Sequence, residues 1–153
     1  MPYIFLMFLI LSPLTSQAKV LDFVIDNSHE INSKDKTEMT KIMKAHAKNG
    51  QYLFFATENQ MTKEEYAIYF YKKYNVSKEI QSHSFLFVIF KKEHRIQGEP
   101  GQKMPKRFIS GKALAEVFNE TKELNLTSKS APPKSTQALN WVKSYFKVLG
   151  SEK

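Results

Sequence analysis

The hydrophobic positions of this chain form short continuous runs that are separated by segments with helical spacing. Mostly apolar runs at residues 20–26, 51–57 and 85–90 have the length and the β-branched and aromatic content of strands. The third run is apolar at every position, which is typical of a central strand covered on both faces. A charged turn at residues 91–94 follows it, and residues 95–98 are predicted to return antiparallel as a shorter strand.

Four helices are predicted between and after these strands. The first begins at Ser33, whose hydroxyl suits an N-cap, and ends at Asn49–Gly50, which tolerate a left-handed backbone. Thr62 and Glu65 form a capping box that starts the second helix, and Ser110 opens the third. The apolar stripes of the four helices are Met39, Ile42, Met43 and His46; Tyr66, Ala67, Phe70 and Tyr74; Leu114, Val117 and Phe118; and Leu139, Val142, Phe146 and Leu149. This alternation predicts an α/β fold, a three-layer α/β/α sandwich with a short mixed sheet flanked by helices.

The first eighteen residues differ from the rest in composition. They are almost wholly apolar from Met1 to Leu14, end with the small residues Ser16 and Ala18, and carry no charged side chain. This pattern predicts a secretory signal peptide over residues 1–18 and export to the periplasm or the extracellular space. The alternative is a short membrane anchor that is not cleaved.

The remaining chain is predicted to have three parts. Residues 19–126 form one α/β domain, whose size is sufficient to bury a hydrophobic core. Residues 127–136 carry Pro132–Pro133 among serines and lysines and form a linker. Residues 137–153 form a C-terminal amphipathic helix.

This last helix combines basic and aromatic side chains. Trp141, Tyr145 and Phe146 are accompanied by Lys134, Lys143, Lys147 and Lys153 in the C-terminal segment. A basic helix with aromatic residues can lie among lipid headgroups at a membrane surface. The alternative, which we favour, is a helix that docks on the domain through its apolar side chains.

Composition narrows the classes of function. The 153-residue chain has a formal net charge of +8 and a pI near 9.5, which favours anionic partners such as lipid headgroups, acidic polymers or an acidic protein face. Nucleic acid is not expected as a partner, because the chain is predicted to be exported and has no basic stretch interleaved with aromatic residues. The chain has no cysteine, so it forms no disulfide and has no thiol nucleophile. We expect a monomer.

Residues with candidate chemistry are few. The chain has no Gly-x-Ser-x-Gly elbow, no glycine-rich phosphate loop and no His-Glu-x-x-His motif, so no catalytic residue is assigned. Asp26 follows an apolar run at the predicted sheet edge, where its carboxylate either caps the next turn or binds a cation; capping is the favoured interpretation. His46 on an apolar helix face is predicted to be packed, and His83 and His94 are predicted to be exposed in loops.

The order of the elements and several scattered positions resemble the TPM domain, a family named for thylakoid-lumen, photosystem-repair and membrane-associated members. The resemblance covers roughly residues 20–124. It is carried by Val24-Ile25-Asp26-Asn27, Ile31-Asn32-Ser33, Gly50 before Tyr52-Leu53-Phe54-Phe55, Glu65-Tyr66-Ala67 with Phe70, the strand Phe85–Phe90, the turn Lys91–His94 and Arg95-Ile96-Gln97-Gly98. It implies a three-layer α/β/α sandwich in an extracytoplasmic setting, often at a membrane surface.

Some members of this family are described as acid phosphatases or calcium binders, so the resemblance also implies a metal site. Its candidate ligands here are Asp26, His83 and Glu93, with calcium or magnesium as the ion. Two departures weaken this implication: Ser82-His83-Ser84 replaces an Asp-Asn-Gly loop, and Glu93-His94 replaces Asp-Arg. Hard cations prefer several carboxylate or carbonyl oxygens, and the changed loop has lost one such group.

Two hypotheses of function follow. The first is a binding or assembly module that requires no cofactor and acts at a membrane protein complex or an anionic envelope surface. The second is a metal-assisted (acid) phosphatase, that is a phosphomonoesterase, or a calcium-binding domain with a degenerate acidic loop. Convergence of Asp26 with oxygens of the loop would favour the second hypothesis, and a basic or aromatic surface patch would favour the first.

Overall fold

The structure is a computed structural model that describes residues 21–59, 65–93, 95–121 and 134–151. The elements run in the order β1 (Val24–Asp26), α1 (Ser33–Ala47), β2 (Tyr52–Glu58), α2 (Tyr66–Lys73), α3 (Lys78–Ser82), β3 (Ser84–Phe90), β4 (Arg95–Pro100), α4 (Lys106–Ile109), α5 (Lys112–Thr121) and α6 (Lys134–Gly150). The predicted signal peptide, Thr62 of the capping box, His94 and most of the predicted linker lie outside these residues. Every helix in the described part of the chain is too short or too polar to span a bilayer.

The four strands form one mixed sheet in the order β1-β2-β3-β4. Strands β1, β2 and β3 are parallel, with Val24 opposite Phe55 and Phe55 opposite Phe87. Strand β4 returns antiparallel beside β3, with Ile96 opposite Ile89, as the charged turn predicted. All seven residues of β3 are buried, in agreement with its continuous apolar sequence. Helices flank this sheet, so the predicted α/β sandwich is confirmed.

Side chains alternate between the two faces of the sheet, and each face has its own helical layer. On one face, the rings of Phe55 and Phe87 lie 6.3 and 4.0 Å from the ring of Trp141 in α6. On the other face, the ring of Phe54 lies 5.6 Å from that of Phe70 in α2. The aromatic core is therefore divided by the sheet into two parts.

Helix α1 lies in the same layer as α6, because the two helices pack together and the His46 ring stacks on Phe146 at 3.8 Å. The connections through α1 and α2 therefore cross opposite faces while both step in the same direction along the sheet. Two such crossovers have opposite hands, so one of them is of the rare left-handed type. As a result, α1 and α2 present their outer surfaces on opposite sides of the domain.

Helix α1 is capped one residue earlier than the sequence predicted. The side chain of Asn32 accepts a hydrogen bond from the Asp35 amide at 2.8 Å, and Ser33 is the first helical residue. Asn and Ser are similarly good N-caps, so the sequence alone does not show which of the neighbours Asn32 and Ser33 caps the helix. At the other end, the helix stops at Ala47, and Gly50 takes the positive φ of 74° that was expected there.

Two short helices are additions to the predicted elements. Helix α3 begins after Ser77, whose hydroxyl accepts a hydrogen bond from the Ile80 amide. Helix α4 is held by Phe108, which is 1% exposed and packs on the rings of Phe85 and Tyr145. Ser110 ends α4 instead of opening the third predicted helix, which begins two positions later as α5.

The C-terminal helix α6 is part of the core. Trp141 and Tyr145 are fully buried, and Phe146 is 5% exposed. The helix begins at Lys134, earlier than the predicted start at residue 137, and the Ser135 hydroxyl accepts a hydrogen bond from the backbone amide that precedes α1. The docked interpretation of this helix is correct, and its aromatic side chains are not available to lipid headgroups.

Candidate functional site

The carboxyl ends of β1 and β2 lie next to each other at one end of the sheet, and we call this place the crevice. The connection after β1 leads to α1 on one face, and the connection after β2 leads to α2 on the other. Ligands of open α/β sheets bind where neighbouring connections diverge in this way, because a gap is left between them. Asp26 ends β1 and Glu58 ends β2, so the acid singled out from the sequence lies at this crevice.

Asp26 is held by hydrogen bonds on both carboxylate oxygens. Its Oδ1 accepts from the Glu30 amide at 3.0 Å and from the Thr57 hydroxyl at 2.5 Å, and its Oδ2 accepts from the Ile31 amide at 2.9 Å. The Thr57 oxygen also accepts a hydrogen bond from the Ser28 amide at 3.2 Å. The carboxylate therefore caps the turn that leads into α1, as the favoured interpretation predicted.

Glu58 is the second acid of the crevice, and it joins three elements. Its Oε1 accepts hydrogen bonds from the side-chain amide of Asn27 and from the hydroxyl of Tyr66, both at 2.7 Å. Burial raises the pKa of Tyr66, and the hydrogen bond to Glu58 raises it further, so the phenol stays protonated and donates. The acids of the crevice thus serve the internal hydrogen bonding of the sheet edge.

The structure does not bring the three metal candidates together. Glu93 follows β3 at the carboxyl edge, on the same side as Asp26, whereas His83 precedes β3 at the opposite edge. The seven-residue strand between them spans about 23 Å, which is too far for shared coordination. His83 Nδ1 instead lies 3.1 Å from the carbonyl oxygen of Glu79. Within the described ranges, no three His, Cys, Asp or Glu side chains are grouped as metal ligands.

Replacing Asp26 by alanine is expected to lower the free energy of unfolding by about 3 kcal/mol. The change leaves the amides of Glu30 and Ile31 and the hydroxyl of Thr57 without their acceptor, and each shielded donor that loses its partner costs roughly 1–3 kcal/mol. Urea unfolding followed by circular dichroism measures the difference.

The matched control for this variant is Asp22→Ala, two residues earlier. Asp22 is exposed and accepts one long hydrogen bond, from the Val24 amide at 3.4 Å. Its removal is expected to cost no more than about 0.5 kcal/mol. Equal stability of the two variants would contradict the capping role of Asp26.

A second candidate site is the outer surface of α1. Seven residues of this helix and its C-cap Lys48 line an open groove of about 830 Å³, and they recur every three or four positions: Ser33, Lys36, Thr37, Thr40, Lys41, Lys44, Ala45 and Lys48. We call them the basic face of α1. That spacing places all of them on one side of a helix, opposite the buried Met39 and Met43. The face carries four positive charges and no carboxylate.

The charges of the basic face are not neutralised by neighbouring acids. Across the described residues, the ion pairs join His83 to Glu79, Lys91 to Glu30 and Arg107 to Glu116, and none includes a lysine of this face. Lysines near the end of a helix also stabilise it through the helix dipole, which accounts structurally for Lys44 and Lys48. That role leaves their ammonium groups free to meet an anion.

The basic face was missed in reasoning from the sequence, although its spacing is visible there. The pattern at positions 36, 40, 44 and 48, with 37 and 41 beside them, is as regular as the apolar stripe on the other side of the helix. The apolar stripe predicts the helix, but it carries no information on the side chains of the outer surface. A search for like charges with helical spacing would have found it.

Comparison with known proteins supports the fold alone. No family model and no curated protein matches the sequence. Two solved domains are similar in structure. The N-terminal domain of the cg2496 protein from Corynebacterium glutamicum has a TM-score of 0.57 and 16% identity over 93% of this chain and 84% of that domain. The N-terminal domain of a protein from P. gingivalis has a TM-score of 0.65 and 14% identity over 86% of this chain and 84% of that domain.

Proposed function

We propose that this chain is an exported, TPM-like binding module that attaches to an anionic envelope surface through the basic face of α1. The observation that carries the proposal is the row of four lysines on one side of a single helix, none of which forms an ion pair within the described part of the chain. Hydroxyl groups of Ser33 and Thr40 lie among them and can donate to phosphate oxygens. The net charge of +8 adds a long-range attraction to the same partners.

The TPM-like part of the proposal is supported by the α/β sandwich and by the residues that carry the resemblance. The predicted signal peptide supports export, and an exported basic module meets phosphate-bearing lipids or polymers at the cell envelope. A single domain with its own core can act there as a monomer. No cofactor is needed for this role, because the attraction comes from the lysine side chains themselves.

The strength of the attachment follows from the number of lysines. A lysine close to an anionic membrane surface contributes about 1 kcal/mol of attraction. Four of them together contribute about 3–4 kcal/mol, which is on the order of a few hundredfold in binding. Such binding is weakened by salt, because the Debye length is only about 8 Å at physiological ionic strength.

The variant with Lys36, Lys41, Lys44 and Lys48 all replaced by glutamine is expected to bind anionic vesicles at least about 100-fold more weakly. Glutamine keeps the helix propensity of lysine and removes only the charge. The measurement is co-sedimentation of the mature chain with vesicles of phosphatidylglycerol and phosphatidylcholine, repeated over a range of salt concentrations.

The control variant replaces four other exposed lysines by glutamine: Lys92, Lys106, Lys112 and Lys143. Both variants have the same net charge, so a difference between them reports the position of the charges. We expect the control to keep most of the binding. If both variants lose binding equally, net charge alone is responsible and the assignment to α1 is wrong; if neither does, the proposed function fails.

The competing proposal is a metal-assisted phosphatase or a calcium-binding domain centred on the crevice. Its support is the position of Asp26 and Glu58 at the diverging connections after β1 and β2. Against it, three internal donors already occupy the Asp26 carboxylate. A saturable rise in melting temperature with calcium or magnesium that Asp26→Asn abolishes would favour this proposal over ours, since a ligand of the folded state stabilises it by mass action.

A further inference from the structure

The outer surface of α2 carries the most exposed of the large aliphatic side chains in the described part of the protein. Ile68 is 72% exposed, and its neighbour Tyr69 is 37% exposed. Ile68 lies on the side of α2 that faces away from the buried Tyr66 and Phe70, and Tyr69 lies at the margin of that side, with its ring 5.9 Å from the ring of Tyr66. Together they form a small exposed apolar area, and apolar surface rimmed by polar side chains is typical of protein–protein contact sites.

Basic side chains complete this surface at one end of the helix. Lys72 and Lys73 follow Ile68 and Tyr69 by four positions, so they lie on the same side one turn further on. Glu65 occupies the other end of this side, two turns or about 10 Å away from Lys72. We call Glu65, Ile68, Tyr69, Lys72 and Lys73 the α2 patch. It presents an apolar centre with positive charge at its C-terminal end.

The positive charge of the α2 patch is held in place. The Lys73 ammonium lies 5.4 Å from the centre of the Tyr69 ring and 5.4 Å from that of Tyr74. An ammonium between two aromatic faces is attracted to both, which restrains an otherwise flexible side chain. A restrained charge loses less conformational freedom on binding, so it favours a partner with a fixed carboxylate over a diffuse one.

We propose that the α2 patch is a docking site for a protein segment that has an aliphatic or aromatic anchor next to at least two carboxylates. The anchor would cover Ile68 and Tyr69, and the carboxylates would pair with Lys72 and Lys73. Tyrosine at the centre of an interface is typical of the few residues that carry most of its binding energy. A second copy of this chain is disfavoured, because two molecules that each carry a net charge of +8 repel one another.

The choice of a protein partner over a lipid surface rests on the proposed function. Helix α2 lies across the sheet from α1. When the basic face of α1 rests on an anionic surface, the α2 patch therefore points away from it. Both surfaces can then be occupied at once, one by the envelope and one by an acidic segment of a membrane-associated protein complex.

The test uses a phage library of random twelve-residue peptides selected on the immobilised mature chain. The affinity of the enriched peptides is then measured by fluorescence anisotropy. We expect the enriched sequences to combine an apolar anchor with at least two Asp or Glu residues. Their affinity should fall at least about tenfold for the Ile68→Ser, Tyr69→Ala variant and for the Lys72→Gln, Lys73→Gln variant. It should stay within about twofold for the α1 variant that lacks four lysines.

The proposal would be overturned if no peptide is enriched, if the enriched peptides lack carboxylates, or if neither α2 variant lowers their affinity. Vesicle co-sedimentation of the α2 variants separates this proposal from the previous one: a loss of vesicle binding there would make the α2 patch the lipid contact and refute protein docking. Failure of the α1 variant to weaken vesicle binding would refute only the envelope attachment. Unchanged melting curves of the α2 variants confirm that exposed positions have been altered without unfolding the domain.

Discussion

Trp141→Ala is expected to lower the free energy of unfolding by about 4 kcal/mol. The indole is fully buried and stacks on Phe87 at 4.0 Å, with the rings of Phe55, Phe85 and Tyr145 all within 6.4 Å. Truncation removes the largest side chain of this cluster, and the rigid strands β2 and β3 cannot close around the cavity. The loss therefore includes both the hydrophobic contribution and the cavity term.

Urea unfolding followed by far-ultraviolet circular dichroism checks this value, and Asn140→Ala is its control on the exposed neighbouring position of α6. The control is expected to change stability by less than about 0.5 kcal/mol. If the aromatic side chains of α6 served lipid headgroups instead, Trp141→Ala would leave stability unchanged and weaken vesicle binding. Trp141 is the single tryptophan of the chain, so its fluorescence in the wild-type protein should not respond to vesicles.

Gly101→Ala is expected to cost about 3 kcal/mol, at the upper end of the range for overpacking. A methyl group at this position would lie 2.5 Å from the carbonyl oxygen of Ser82 and in a similar clash with that of Gln81. Both atoms belong to the backbone of α3, and the Gly101 amide is itself fixed by a 2.7 Å hydrogen bond to the Ser84 carbonyl. Relief would require α3 or the end of β4 to move as a unit.

The control for this substitution is Gly150→Ala in the last turn of α6. Nothing lies within 4 Å of a methyl group at that position, and alanine in a helix is favoured over glycine by roughly 0.5–1 kcal/mol. Thermal melts of the two variants should therefore shift in opposite directions or, at least, differ by several degrees. A Gly101→Ala variant as stable as the wild-type protein would show that α3 is not held against the end of β4.

The strands were predictable because runs of consecutive apolar residues indicate buried strands. Phe85 to Phe90 is apolar on both faces, and the charged turn after it required an antiparallel return. Helix α3 escaped prediction because its five residues make less than two turns and none of them is buried. The face of the sheet on which α1 or α2 packs could not be predicted either. An apolar stripe shows that a helix packs on the sheet, but it does not show on which face.

The candidate site was predictable only one residue at a time. Asp26 was recognisable as an acid after an apolar run, but its partner Thr57 lies thirty-one positions away and meets it through the register of β1 and β2. His83 and Asp26 were grouped from a family resemblance, which gave no strand directions. Three parallel strands place these residues at opposite edges, and this separation is a property of the whole sheet.

Because α1 and α2 lie on opposite faces of the sheet, the two proposed binding surfaces are separated by the thickness of the domain. Two helical layers and one sheet, each about 10 Å deep, hold them about 30 Å apart. That distance is more than three Debye lengths at physiological ionic strength. Carboxylates bound at α2 would therefore not sense the repulsion of the anionic surface beneath α1. The domain would therefore hold an acidic protein segment and an anionic surface at the same time, far enough apart for their mutual repulsion to be screened.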